Sequence, residues 1–151
     1  MLIKDEFWMQ LAIEQAKLAY QHGEVPVGAV AVCSERGWVA SAYNQTIHRC
    51  DPTAHAEIEV IRQTALLFGN HRLPTVTLYI TLEPCAMCAG AIVQARIPRV
   101  VFASRDFKGG AAGSSLNVLN HPALNHHTLI DDGIGQREST LILKKFFEQR
   151  R

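Results

Sequence analysis

Residues Thr77 to Ala103 read TLYITLEPCAMCAGAIVQARIPRVVFA, and the fold is decided there. TLYIT (77–81) is a short β-branched and aromatic run, the composition of a strand. LEP is a connector. CAMCAGAIVQA (85–95) is rich in helix formers, with Pro84 at the expected first helical position, where a missing N–H costs nothing. RVVFA (99–103) is a second apolar strand. Strand, helix and strand in succession predict a crossover unit and parallel pairing.

The flanking segments extend the pattern. Residues 5–22 place Phe7, Leu11, Ala12, Ala16, Ala19 and Tyr20 at helical spacing, with Gly23 as a stop. VPVGAVAVC (25–33) and WVASAY (38–43) predict a hairpin around Ser34–Gly37, and NQTIHRCDPT (44–53) a loop. A helix is expected near 54–68 with Ile58, Ile61, Ala65 and Phe68 on one stripe. SRDFKGGAAGSSLN (104–117) is a Gly/Ser loop, Thr128–Ile130 a short last strand, and 133–151 a terminal amphipathic helix. The expected class is α/β, a mixed or mostly parallel sheet covered on both faces. Such sheets bind ligands beyond the carboxyl ends of their strands.

With 151 residues, 48% of them apolar, the chain suits one domain, 1–151, with a real core. The start shows no signal-peptide pattern and no apolar run reaches the length of a membrane span, so a soluble, cytoplasmic protein is expected. Net charge is +1, unevenly placed. Residues 1–68 carry five Lys/Arg and eight Asp/Glu, a balance of −3; residues 69–151 carry ten and six, a balance of +4. A basic terminal helix can meet phosphate, although a solvated helix face looks the same in sequence.

Four cysteines without a secretory signal do not suggest a disulfide framework. Cys33 lies in an apolar run and Cys50 has no evident partner. Cys85 and Cys88 form a CxxC at a helix start, where both thiols point the same way and thiolate is favoured. A structural zinc site would need two further protein ligands; neither a second CxxC nor an HxxxH is present. One histidine would instead leave a coordination position for water. Of seven histidines, only His55 has a carboxylate beside it at a helix start, in DPTAHAE (51–57). Two thiolates offset the charge of Zn²⁺, so water on such a metal is less acidified and an auxiliary base helps. Glu57 would be that base rather than a ligand.

HAE followed within about thirty residues by PCxxC, each opening a helix, resembles the zinc-dependent nucleobase deaminases, whose signature this is. The likeness spans nearly the whole chain. GEVPVGAV (23–30), Asn44, DPTAHAEI (51–58), TLEPCAMCAGAI (81–92), RVVFASRD (99–106), GAAGS (110–114), HPALNH (121–126) and FFEQRR (146–151) are similar to the bacterial tRNA-specific adenosine deaminases. The resemblance implies a three-layer α/β/α, cytidine-deaminase-like fold on a mixed five-stranded sheet. It implies hydrolytic conversion of the wobble adenosine of a tRNA anticodon to inosine, with a zinc-activated water. His55, Cys85 and Cys88 would hold one Zn²⁺ per subunit, and Glu57 would shuttle protons. Asn44 would hydrogen-bond the adenine and Val27 would wall the pocket. Arg105, Asp106 and Lys108 would face the anticodon stem-loop, and the chain would be a homodimer. The competing expectation is a deaminase of a free base or nucleoside, of guanine or cytosine type. Two positions depart from the pattern: Gly109 stands where Thr is expected, and Phe107 is bulkier than expected.

Overall fold

The computed structural model describes residues 4–150. Along them run α1 (Asp5–Gln21), β1 (Gly28–Cys33), β2 (Gly37–Tyr43), α2 (Ala56–Phe68), β3 (Val76–Leu82), α3 (Ala86–Gln94), β4 (Arg99–Ser104), β5 (Leu129–Asp132) and α4 (Gln136–Glu148). The strands form one sheet in the order β2-β1-β3-β4-β5. β1 is antiparallel to both β2 and β3, whereas β3, β4 and β5 are parallel. The sheet is therefore mixed and five-stranded, with β3-α3-β4 as its crossover unit.

Alternation along the central strands assigns each face a partner. Ala29, Ala31, Leu78, Ile80, Val100 and Phe102 pack with Val60 of α2 and with Ile92 and Val93 of α3. Their neighbours Val30, Tyr79, Val101 and Ala103 pack with Trp8, Met9, Ala12 and Ile13 of α1. α4 lies against α1, β3 and β4. Both faces are buried, which is why these strands read as continuous apolar runs.

Several local expectations shift. On α1, Trp8 and Met9 enter the core and Phe7 is half exposed, because the helix sits over mid-sheet and its apolar surface is wider than one stripe. On α2, the buried line is Ala56, Val60 and Thr64, with Ile61, Ala65 and Phe68 only partly covered. Thr64 is tolerated there because its hydroxyl donates to the Val60 carbonyl at 2.7 Å. β1 starts at Gly28, not Val25; a tight turn, Val27 N–H to Val25 carbonyl at 2.8 Å, takes Val27 out of the strand. β5 covers Leu129–Asp132, and α4 begins only at Gln136, after Gly133 and Gly135 in left-handed backbone. Arg151 lies outside the described residues.

The parallel strands β4 and β5 are joined without a helix. Residues 105–128 instead form a long irregular loop, with one isolated bridge between Ala112 and Asn117. A loop of this length is uncommon unless it has a task of its own. Among the described residues no helix is long and apolar enough to cross a membrane.

Candidate active site

β1 begins, and β2, β3 and β4 end, at the same edge of the sheet. Topology thus brings Val27, Asn44, Glu83–Cys85 and Arg105–Asp106 together, and α2 starts there with His55. Helix boundaries sharpen the sequence reading. His55 is the N-cap of α2 and Cys85 the N-cap of α3; Pro84 stands one residue before the cap rather than inside the helix. Both caps have extended backbone and neither side chain caps its own helix. An N-cap side chain free of its helix can project sideways off the helix end. Cys88, at the third helical position, comes up beside Cys85, and Glu57 occupies the second position of α2.

The result is a compact donor set. His55 Nδ1 lies 3.6 Å from Cys85 Sγ and 3.4 Å from Cys88 Sγ. All three ligand atoms fall within 4.8 Å of one another. A tetrahedral zinc with ordinary Zn–N and Zn–S bonds separates its nitrogen and sulfur ligands by about 3.5 Å. The donor types and the spacing both fit that ion, and three protein ligands leave one position for another ligand.

The thiols are unequal. Cys85 is brought down to about 3 by the hydrogen bond from Cys88, against its burial and with help from His55. The same hydrogen bond, together with burial, pushes Cys88 up. His55 is raised by its hydrogen bond with Cys85. Metal binding replaces this shared-proton arrangement, because both sulfurs bind as thiolates.

Glu57 is buried, and burial pushes its carboxyl up to about 7, against its own backbone N–H and His55. It faces a cavity of about 230 Å³ that is also lined by Val27, Asn44, His55, Cys85 and Asp106. Val27 and Asn44 are themselves buried. The space suits one small heterocycle rather than a large ligand. Arg105 and Lys108 are not in this cavity. With Leu143, Phe147 and Arg150 they line an adjoining groove of about 900 Å³, which shares Val25, Leu82 and Asp106 with the pocket.

Two residues of consequence were not singled out from the sequence. Glu83 is buried beside Cys85 and accepts the N–H groups of Asp106 at 3.1 Å, Ala112 at 2.9 Å and Ser114 at 3.1 Å, and also the Ser114 hydroxyl. Burial alone would raise its carboxyl, yet the Ser114 and backbone donors hold it below the ordinary range. Gly110 gives the room for this contact, since a Cβ would run into the Glu83 carboxylate and the Asp106 carbonyl. Glu24, fully buried, does the same for the loop before α2. It accepts Ile47 N–H at 3.1 Å and His48 N–H at 2.9 Å, and pairs with His48 Nδ1 at 2.8 Å. The available signal was a carboxylate embedded among apolar residues, in TLEPC and in GEVPV.

A mixed five-stranded sheet with HAE and PCxxC meeting at one edge is the arrangement of a nucleobase deaminase, and the profile of the MafB19-like deaminases matches residues 3–151. The tRNA-specific adenosine deaminase of Haemophilus influenzae is 44% identical over 147 residues, covering 97% of this chain and 85% of that protein. That of Bacillus subtilis is 41% identical over 150 residues, covering 99% and 92%. A solved structure from work on A-to-I editing by tRNA:A34 deaminases at the wobble position superposes with a TM-score of 0.87 at 43% identity, covering 91% of this chain and 99% of that one. The chain belongs to the family of bacterial tRNA-specific adenosine deaminases.

Proposed function

We propose that this protein is one deaminase domain that converts the wobble adenosine of a tRNA anticodon to inosine. The observation that carries the chemistry is the His55–Cys85–Cys88 donor set with Glu57 buried at the same pocket. The family relationship supports adenosine in tRNA as the substrate.

His55, Cys85 and Cys88 would hold one Zn²⁺. When bound, zinc supplies a Lewis acid that makes a water nucleophilic near neutral pH. The protein's own residues do the rest. The pocket takes one base, so the adenosine leaves the loop stack, at small cost where it is already unpaired. Asn44 reads the edge of the base and Val27 packs against its face. Overall, water adds its oxygen to C6 of the purine and the C6 amino group departs as ammonia. Glu57 takes one proton of the water and delivers it to the ring nitrogen, then takes the second from the oxygen now on C6 and gives it to the leaving amine. Burial suits it to this duty, because a carboxyl raised toward neutrality can both accept and give a proton.

Arg105, Asp106 and Lys108 would face the anticodon stem-loop at the pocket rim. Pairing as a homodimer and residence in the cytoplasm accord with the family and with a tRNA substrate. The test is to give the zinc-loaded protein transcribed tRNA and, separately, free adenosine, guanine and cytidine. Inosine at one tRNA position, with the free compounds unchanged, supports the proposal. Conversion of a free base or nucleoside but not of tRNA rejects it in favour of the small-molecule deaminases.

A further inference from the structure

The adjoining groove holds a side chain that the chemistry above does not use. Phe107 is 78% exposed at the rim, and Phe147 from α4 is 49% exposed on the same groove. The exposure of Phe107 does not come from a slack loop. On one side Asp106 donates its N–H to Glu83. On the other the Asp106 carboxylate accepts the N–H groups of Lys108 at 3.1 Å and Gly109 at 3.2 Å, closing a turn around Phe107. A bulky aromatic is thus presented to solvent on a fixed turn, one residue from a residue that lines the base pocket.

The surroundings specify a ligand. Lys108 pairs with no carboxylate among the described residues. Arg150 lies over the Phe146 ring at 3.8 Å and donates to the Gly23 carbonyl, and among the described residues it too pairs with no carboxylate. Arg105 is partly neutralised by Asp132 at 3.0 Å. Cations beside exposed aromatic rings, in a groove opening from a pocket that takes one base, match an unpaired polynucleotide strand. Phosphates answer the cations, and a base face answers the ring.

We propose that Phe107 is the stacking platform for the unpaired base adjacent to the target adenosine, with Lys108 meeting the phosphate beside it. This rests on the RNA-deaminase reading above and extends it to a neighbouring base. Phe107 is bulkier than the resemblance leads one to expect, so its role is argued from its own exposure and fixed turn. Stacking tolerates any base but favours those that stack strongly, so it sets a graded preference at the flanking position.

The experiment uses the zinc-loaded protein and an RNA stem-loop with the target adenosine in its loop and 2-aminopurine next to it, whose fluorescence reports stacking. Phe107→Ala is expected to raise KM about 5- to 150-fold, the equivalent of losing one base–aromatic stack, and to abolish the fluorescence change. The loss should lie in KM rather than kcat, zinc content should not change, and Phe107→Trp should restore binding. Lys108→Ala should reduce the salt dependence of binding by about one phosphate contact, whereas Phe107→Ala should not. An RNA that the wild type edits, bound by Phe107→Ala with unchanged KM and fluorescence, overturns the platform and leaves the function standing. A protein partner seated on the groove would produce that result. A wild type that edits no RNA overturns both.

Discussion

Glu57 on the pocket floor and Glu83 in the loop wall are the same residue type, both buried at the same edge of the sheet, with opposite fates. Glu57 is raised to about 7, because burial outweighs its own backbone N–H, His55 and Cys88. Glu83 is lowered, because the Ser114 hydroxyl and three backbone N–H groups outweigh its burial. Burial with too few donors to offset it produces a group that can exchange protons. Burial with a full set of donors produces a permanent anion that orders a chain segment. Carboxyls pushed apart in this way indicate which one does chemistry. The floor and the wall should therefore fail differently when broken.

The largest effect is expected from the floor. Cys85→Ala removes one of the three proposed ligands, so metal content should fall to about a tenth of the wild type or less, with deamination lost in parallel. Metal analysis after dialysis checks this, and full metal occupancy would contradict the assignment of Cys85. In the wall, Glu83→Gln replaces two acceptor oxygens with one and leaves buried N–H groups facing an amide nitrogen. About 1–3 kcal/mol of stability should be lost. Metal should be retained while KM for RNA rises and proteolysis opens the 105–116 segment. Gly110→Ala attacks the same contact from the other side. Its Cβ meets the Glu83 carboxylate, for a cost of about 1–3 kcal/mol seen in thermal unfolding. The smallest effect is next door. Gly109 has no left-handed backbone, and a Cβ there would meet only Asp106 Oδ2 at 3.5 Å. Gly109→Ala should stabilise the protein by about 0.4–1 kcal/mol through the unfolded state, with RNA editing retained.

The floor was legible in the sequence and the wall was not. HAE and PCxxC declare themselves because ligand chemistry restricts residue type and spacing, and Thr77–Ala103 reads as strand-helix-strand because both strands are apolar on both faces. What spacing could not settle was where each helix begins. The shift by one or two residues made His55 and Cys85 caps and moved Pro84 outside its helix. Glu83 and Glu24 escaped notice because their partners are backbone N–H groups of distant loops, which residue letters do not display. Residues two apart do not share a helix face, and the two in HAE have no need to. His55 precedes α2 and turns to the sulfurs, while Glu57 is inside the helix and turns to the pocket.

The most direct test of the central claim, that the floor separates metal holding from proton transfer, is Glu57→Gln assayed for zinc and for inosine in tRNA on the same preparation. Zinc should remain at one ion per chain, and kcat should fall by about 10²–10⁴. Inosine formed at the wild-type rate would contradict the account, as would loss of the metal along with the activity.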